Sequence, residues 1–331
     1  MEEDLKTIQD EEQLKKTLKS QIKSIDIYIK VESMYIMDLH KLGDDIGQCS
    51  NLVHLNLTID KNILDEKSSI YIFQQISNCV HLTSLSLFLN HSEINNSGSS
   101  ALGKTLSQLT NLKNIQIDLY QAKVGIIGAT GIAFGLSKCQ QLEFLNLYLT
   151  YNQLGNTGTS LLGQGIGSCS QIKKLSLYLS ANHIQAEGIQ GLIQGIQNCQ
   201  MIQELHLFIG YNKIKSEGLI AIGSYLSQLS KLKILNLYLS NCGICNKGLV
   251  DFCTYLRLCL NLNYIKLHLN ESNNEEIEGG ITCLINAIVQ FKKLYQINGY
   301  IKIKNLDETI KLKLKRKLKK AKRLVFNNFF F

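Results

Sequence analysis

The chain of 331 residues is 45% apolar, as folded proteins are, and it contains no proline, so we expect uninterrupted strands and helices. No apolar run approaches the ~18 residues that a membrane span needs, and the charged N-terminus lacks the apolar core of a signal peptide. The formal net charge is +8, but segment 311–323 alone holds nine basic residues and no acidic one. The remaining 26 basic and 27 acidic residues nearly cancel, so the positive charge belongs to the C-terminal end.

The first 18 residues are predicted to form a short capping helix. Leu5, Ile8, Leu14 and Leu18 lie on its inner side, and acidic residues lie near its start, where they favour the helix dipole. We expect this helix, residues 1–18, to cover the apolar end of the repeats that follow.

From residue 19 to residue 305 one pattern returns about every 30 residues. In the copy at residues 139–169, leucines alternate as in a strand with one buried face, and further apolar residues follow at helical spacing. These positions are Leu142, Leu145, Leu147, Leu149, Leu154, Leu161, Leu162 and Ile166. A strand, a turn and a helix of this length cannot bury their own apolar face, so the copies are predicted to stack into one solenoid domain.

The repeat register also predicts the order of the sheet. Equivalent apolar residues stand 30 positions apart from Ile22 to Leu262, and the next one, Leu294, follows after 32. Because the chain returns to the same edge each time, neighbouring strands must be parallel, and each helix must be the crossover between two strands. We therefore expect an α/β fold of about ten strand–helix repeats.

Three other residue types recur in register. Asparagine recurs between strand and helix, where its amide can bond backbone groups of neighbouring coils. Glycine recurs at the start of the helix, which indicates close backbone approach or a turn conformation that disfavours Cβ. Cysteine recurs before the strands, but leucine replaces it in two copies, so we predict buried free thiols and a reducing compartment. The columns are Asn62, Asn152, Asn182 and Asn212; Gly98, Gly128, Gly158, Gly188, Gly218 and Gly248; and Cys49, Cys79, Cys139, Cys169, Cys199 and Cys259.

The pattern L-x-x-L-x-L-x-L-x-x-N-x-L, followed by glycine and a helical L-x-x-x-L, resembles a leucine-rich repeat of the intracellular, ribonuclease-inhibitor-like class. The resemblance covers about residues 19–305, and it departs from the usual pattern because a second x-L pair extends the strand before the asparagine. It implies a horseshoe with a parallel sheet on the concave side and helices on the convex side. It also implies protein recognition as the commonest role.

Side chains that alternate with the buried leucines are the candidates for binding. Aromatic residues fill most copies of one outward position, and polar, mostly uncharged residues fill its neighbour. Because aromatic anchors contribute much of the energy at interfaces, we predict a protein-binding surface, with the alternative that the rings stack and only stabilise the sheet. The candidates are Phe88, Phe144, Asn146, Tyr148, Tyr178, His206, Phe208, Tyr238 and His268.

The C-terminal segment, residues 306–331, is predicted to be a basic helix followed by an aromatic tail. The apolar side of the helix consists of Ile310, Leu314, Leu318, Ala321 and Val325. One hypothesis is a cap that closes the last repeat, and the other is a contact with an anionic membrane, RNA, a nuclear import receptor or an acidic protein surface. The basic residues are Lys311, Lys313, Lys315, Arg316, Lys317, Lys319, Lys320, Lys322 and Arg323.

Several apparent catalytic motifs are explained by the repeat. Residues 98–105, GSSALGKT, match a phosphate-binding loop, but the register does not put them directly after a strand. Cys242 and Cys245 form a single C-x-x-C, whereas a closed zinc site needs four ligands. His206 and His268 lie in different columns two repeats apart, which gives no metal pair or catalytic dyad. We expect no enzymatic activity, no metal and no cofactor.

The sequence thus predicts a non-enzymatic scaffold that binds protein partners across the concave sheet. We expect it inside the cell, in the cytoplasm, with the nucleus as a second location. One alternative is a regulator of an enzyme, such as a small-GTPase activator, although the activator of this repeat class ends in an acidic tail. The other alternative is an adaptor to nucleic acid or an anionic membrane that acts through the basic tail.

Overall fold

The computed structural model describes residues 6–8, 23–29, 39–59, 63–271, 278–303, 308–320 and 325–330. Within these residues, twelve parallel strands form one sheet in chain order, with helices between them. The strands are β1 (Lys6–Ile8), β2 (Ser24–Ile29), β3 (His54–Ile59), β4 (Ser84–Phe88), β5 (Asn114–Asp118), β6 (Phe144–Tyr148), β7 (Lys174–Tyr178), β8 (Glu204–Phe208), β9 (Ile234–Tyr238), β10 (Tyr264–Glu271), β11 (Gln296–Ile303) and β12 (Val325–Phe330). The helices are α1 (Leu39–Gln48), α2 (Glu66–Ile76), α3 (Asn95–Gln108), α4 (Ile126–Leu136), α5 (Gly155–Gly167), α6 (Ala186–Ile196), α7 (Lys215–Gln228), α8 (Asn246–Leu256), α9 (Glu278–Gln290) and α10 (Glu308–Lys320).

Strand pairing follows the predicted period, and the predicted α/β solenoid is confirmed. From β2 to β10 each residue pairs with the one 30 positions later, as Leu145 does with Leu175. Tyr264 pairs with Gln296, which is the predicted step of 32. Strands stack about 4.8 Å apart, whereas packed helices need about 8–10 Å, so the sheet takes the inner, concave side.

The predicted helix over residues 1–18 is wrong for Lys6–Ile8. These residues form β1, which pairs with β2 so that Lys6 lies opposite Ile25. The physical reason is that the open edge of β2 has backbone groups that a parallel strand can pair and a helix cannot. Leu5, Leu14 and Leu18, which were assigned to the same helix, lie outside the described residues.

The C-terminal helix is present as α10 but ends earlier than predicted. Leu318 is buried, as expected for a helix that closes the last repeat. Val325 lies in β12 rather than on the helix, because β12 pairs with the otherwise open edge of β11 and places Phe326 opposite Ile297. Ala321, Lys322 and Arg323 lie outside the described residues.

The core is one apolar layer between the sheet and the helices. Leu147 and Leu177 are at most 1% exposed, and the predicted cysteine column is buried with them as free thiols. Burial raises the pKa of Cys139 to about 12, so its reactive thiolate form is disfavoured. The cysteines are therefore packing residues, as their exchange with leucine indicates.

The asparagine column satisfies the buried backbone of the turns. Asn182 Nδ2 donates to the carbonyl oxygens of Leu149 (2.7 Å) and Leu179 (3.1 Å), and its Oδ1 accepts from the N–H of Leu154 at 3.3 Å. Asn152 and Asn212 make equivalent bonds between neighbouring coils. The predicted role is confirmed for these three residues, and Asn62 lies outside the described residues.

The glycine column results from close helix packing. A Cβ at Gly248 would lie 2.1 Å from Ser216 Oγ, and one at Gly128 would lie 2.8 Å from Ser99 Cβ. None of the six column glycines has a positive φ. Of the two reasons that the sequence left open, close approach therefore applies.

The helices show an alternation that the 30-residue reading missed. From α2 to α8 they begin at residues 66, 95, 126, 155, 186, 215 and 246, so the steps alternate between 29 and 31. The second residue of each longer helix reaches the next turn: Asn96 Oδ1 accepts from Gly125 N at 2.9 Å, and Asn156 Oδ1 accepts from Gln185 N at 2.7 Å. The structural unit is thus a pair of repeats.

Replacing Asn182 with alanine should lower the free energy of unfolding by about 2 kcal/mol or more, because it leaves two carbonyls and an N–H buried without partners. Urea titration followed by circular dichroism measures the change. Asn198→Ala, at an exposed helix end, is the control and should change it little. Equal effects of the two substitutions would contradict the assigned role.

A second pair of substitutions tests the glycine contacts within α5. A Cβ at Gly165 would lie 2.3 Å from the carbonyl oxygen of Ala133, whereas one at Gly158 would meet only Ala129 Cβ, at 3.2 Å. Gly165→Ala should destabilise by about 1–3 kcal/mol through overpacking. Gly158→Ala should be near neutral, because the helix preference of alanine offsets the tighter contact. Urea midpoints in which Gly158→Ala is the worse variant would refute this account.

Candidate functional site

The concave face of the sheet presents the side chains that alternate with the core. In β6, Leu145 and Leu147 are buried, Asn146 and Tyr148 are half-buried, and Phe144 is 42% exposed. The same alternation runs through the neighbouring strands, because pairing is in register. Residues from distant parts of the sequence therefore form continuous rows across the strands.

One row forms a stack of rings, here called the aromatic ladder, which consists of Tyr148, Tyr178, Phe208, Tyr238 and His268. The first three rings are nearly parallel, with centroids 4.0 and 4.2 Å apart. The next two steps are 6.2 and 5.3 Å. The sheet thus brings together five of the predicted site residues.

Phe88 lies in the same row but is separated from the aromatic ladder. Asp118 occupies the intervening strand, and its Oδ1 accepts from the backbone N–H of Tyr120 at 2.9 Å. Phe88 is half-buried beside Thr58, its partner on β3. The predicted row is therefore continuous in space but not as a stack of rings.

Ring stacking answers part of the question that the sequence left open. The faces of Tyr148, Tyr178 and Phe208 cover one another, and the three side chains are half-buried. Burial and a hydrogen bond with the Tyr148 side chain raise the pKa of Tyr178 well above its ordinary value. The aromatic ladder therefore stabilises the sheet, as cross-strand pairs do, and leaves ring edges for contact with a partner.

The neighbouring row is polar and partly enclosed. Its His206 Nδ1 lies 2.6 Å from Asn236 Nδ2, which places the amide as donor, and its Nε2 lies 3.7 Å from Glu204 Oε2. The same carboxylate lies 3.1 Å from Lys174 Nζ. Asn146 Oδ1 and Asn236 Oδ1 are buried without a hydrogen-bond partner in the structure. These amide oxygens are acceptors that a bound chain could use.

His206 is held in its neutral form. Burial lowers its pKa, the charges of Lys174 and Lys266 act in the same direction, and Glu204 opposes them. Burial and Lys266 lower the pKa of His268 as well. The two histidines are in different rows, so they do not form a catalytic pair.

The rejected motifs lie where the repeat requires them. Residues 98–105 belong to α3, so their backbone cannot form a phosphate-binding loop. Cys242 Sγ donates to the carbonyl of Ile209 at 3.5 Å, and Cys245 Sγ lies 2.9 Å from Ser216 Oγ. In the part of the chain that the structure describes, no group of three or more His, Cys, Asp or Glu side chains could hold a metal ion.

A row of aromatic side chains at the ends of the strands was missed by the sequence reading. Tyr151 and Tyr211 are 52% and 54% exposed, and both have positive φ angles, near 57°. Tyr120 joins Tyr151 and His91 through edge-on ring contacts of 5.5 and 4.8 Å. Here the four residues are called the tyrosine rim. The available signal was the spacing of 60 between His91, Tyr151 and Tyr211, which a 30-residue register hides.

The basic helix α10 is partly explained by capping. Leu318 packs into the core, and Lys317 Nζ donates to Asn286 Oδ1 on α9. Lys311 pairs with Glu308 within the helix. Three further cations, Lys313, Lys315 and Arg316, are exposed together with Leu312. The side chains of Lys319 and Lys320 lie outside the described part of the structure.

The fold and surface define an α/β solenoid with an aromatic and polar concave face. No protein-family model and no curated protein matches the sequence. Among the described residues, no helix is both long enough and apolar enough to cross a lipid bilayer.

The histidines of the concave face predict how stability depends on pH. Their folded pKa values lie below the unfolded value of about 6.5, so unfolding takes up protons in acid. Their contribution is complete above about pH 6.5 and is lost as the pH falls through that value towards the folded pKa. The double variant His206→Gln/His268→Gln should therefore lose less stability than the wild type between pH 7 and pH 5, by urea titration. His81→Gln, at an exposed position, is the control, and identical slopes for all three proteins would contradict the prediction.

Proposed function

We propose that the chain is a non-enzymatic scaffold that binds protein partners through the concave face and the tyrosine rim. The observation that carries the proposal is a continuous surface of aromatic and polar side chains over consecutive strands. Aromatic side chains next to polar groups are typical of interfaces.

The shape of the surface also supports a macromolecular partner. The pocket at Ser86, Gln116 and Phe144 encloses only about 170 Å³, whereas small-molecule sites usually have about 300–1,000 Å³. A wide, shallow surface suits a protein, and it offers no enclosed space for chemistry on a small substrate.

We further infer that the chain belongs to the leucine-rich repeats of the ribonuclease-inhibitor-like class. The bonded asparagine column, the parallel register and the paired repeats support this assignment. Free thiols at all ten cysteines support a reducing compartment, which is the cytoplasm or the nucleus. A contact of α10 with an anionic surface is a separable element of the proposal, supported by its exposed Lys313, Lys315 and Arg316.

The experiment compares two opposite faces of the solenoid. Partners are captured from the native cell, identified by mass spectrometry, purified, and titrated against each variant. The first variant, Phe144→Ser/Tyr151→Ser/Tyr211→Ser, removes exposed rings from the proposed surface. The control, Ile127→Ser/Phe134→Ser, removes apolar side chains that are 66% and 54% exposed on α4, on the helix side.

We expect the first variant to weaken binding by about 30-fold or more, the size typical of interface anchors, with unchanged melting because its side chains are exposed. The control should bind as the wild type does. Loss of binding in the control alone would refute the proposal. Tyr148→Ser/Tyr178→Ser/Tyr238→Ser should lower stability as well as binding, because it dismantles the stack.

A further inference from the structure

A second surface lies at the edge of the sheet where strands β9, β10 and β11 begin. A groove of about 630 Å³ opens there, away from the aromatic ladder. Its lining residues are Gln203, Ser230, Lys231, Lys233, Asn261, Asn263, Lys293 and Tyr295. This lining contains three lysines and no carboxylate.

The amino groups of these lysines meet neutral atoms. Lys231 Nζ donates to Met201 Sδ at 2.9 Å, and Lys233 Nζ lies 3.4 Å from Gln203 Oε1. Lys293 Nζ donates to the side-chain oxygen of Asn261. A lysine therefore enters this groove with its charge uncompensated by these contacts.

The same edge is neutralised earlier in the solenoid. Lys173 stands two repeats before Lys233 at the equivalent position, and its Nζ lies 2.5 Å from Glu143 Oε2. In the later repeats this acidic partner is missing from the sequence: Asp251 is the sole acidic residue between Glu217 and Glu271. The positive charge of the groove is therefore a property of the C-terminal repeats and not of the repeat pattern.

Exposed apolar side chains flank these lysines. Leu258 and Leu260 are 60% and 71% exposed in the turn between α8 and β10, and Tyr295 of the groove is 52% exposed. Leu260 directly precedes the lining residue Asn261. Such exposure is costly in water, and next to a charged groove it marks a contact surface.

We propose that this groove binds an acidic peptide segment in which carboxylates alternate with aliphatic side chains. Carboxylates pair with Lys231, Lys233 and Lys293, and aliphatic side chains cover Leu258 and Leu260. Lys231 and Lys293 lie two strands apart, about 10 Å, which an extended peptide spans in about three residues.

One atom favours a peptide over a nucleic acid. Asn263 Oδ1 lies in the groove, buried and without a hydrogen-bond partner, so it needs a donor. A peptide backbone supplies N–H groups, whereas a phosphodiester backbone supplies only acceptors. The exposed leucines also match aliphatic side chains better than they match phosphates.

The test is fluorescence anisotropy with the full chain and a labelled ten-residue peptide of alternating Glu and Leu at 0.15 M salt. The triple variant Lys231→Gln/Lys233→Gln/Lys293→Gln should weaken binding by roughly ten-fold or more, since each exposed pair contributes a few-fold. The control Lys104→Gln/Lys138→Gln/Lys213→Gln removes the same charge at exposed positions elsewhere and should change binding less than two-fold. Both proteins keep the basic helix α10, so a loss confined to the first variant is attributable to the groove.

Two further arms separate the components of the site. Leu258→Ser/Leu260→Ser should weaken the Glu–Leu peptide but not a peptide of alternating Glu and Ser. A Gln–Leu peptide should not bind. The proposal is overturned if the two lysine variants bind the Glu–Leu peptide equally, or if a 20-nucleotide single-stranded RNA binds more tightly than the peptide in a manner lost in the groove variant. None of these outcomes depends on whether the concave face binds a partner.

Discussion

In-register parallel pairing at a step of 30 residues is the constraint on which this structure depends. A strand, a turn and a helix of that length leave backbone groups and an apolar face uncovered, and the next copy covers both. Asn182 shows the coupling most directly, because its amide bonds the turn of its own coil and the turn of the coil before it. Core leucines, buried thiols and helix glycines all follow from the same stacking.

The stacking also produces the functional surface as a secondary effect. Once the leucines of each strand face the helices, the residues between them must face the concave side, and the register places equivalent residues next to one another. Tyr148, Tyr178 and Phe208 thereby form a stack from positions 30 residues apart. The rings stabilise the sheet through their faces, and the tyrosine rim supplies the more exposed aromatic area.

Charge divides the molecule along its length, whereas the fold does not. The middle of the solenoid pairs its cations, as Lys173 does with Glu143, but the last repeats carry lysines beside neutral side chains. The basic helix α10 packs on α9 at this same end. A regular backbone thus carries two surfaces of different chemistry, one aromatic and polar, the other cationic and apolar.

Strand order, register, the buried cysteines and the role of the asparagines could be predicted from the sequence, because each depends on a period that recurs many times. Phe144, Asn146 and Tyr148 could be assigned to the outer face for the same reason. Three features required the tertiary structure: the 29/31 alternation of helix starts, the exposure of Tyr151 and Tyr211, and the lysine groove. The first two depend on turn geometry within pairs of repeats, and the groove depends on side chains from three strands that are adjacent only after stacking. The end strands β1 and β12 likewise escaped prediction, since an open sheet edge, rather than local helical spacing, determines their conformation.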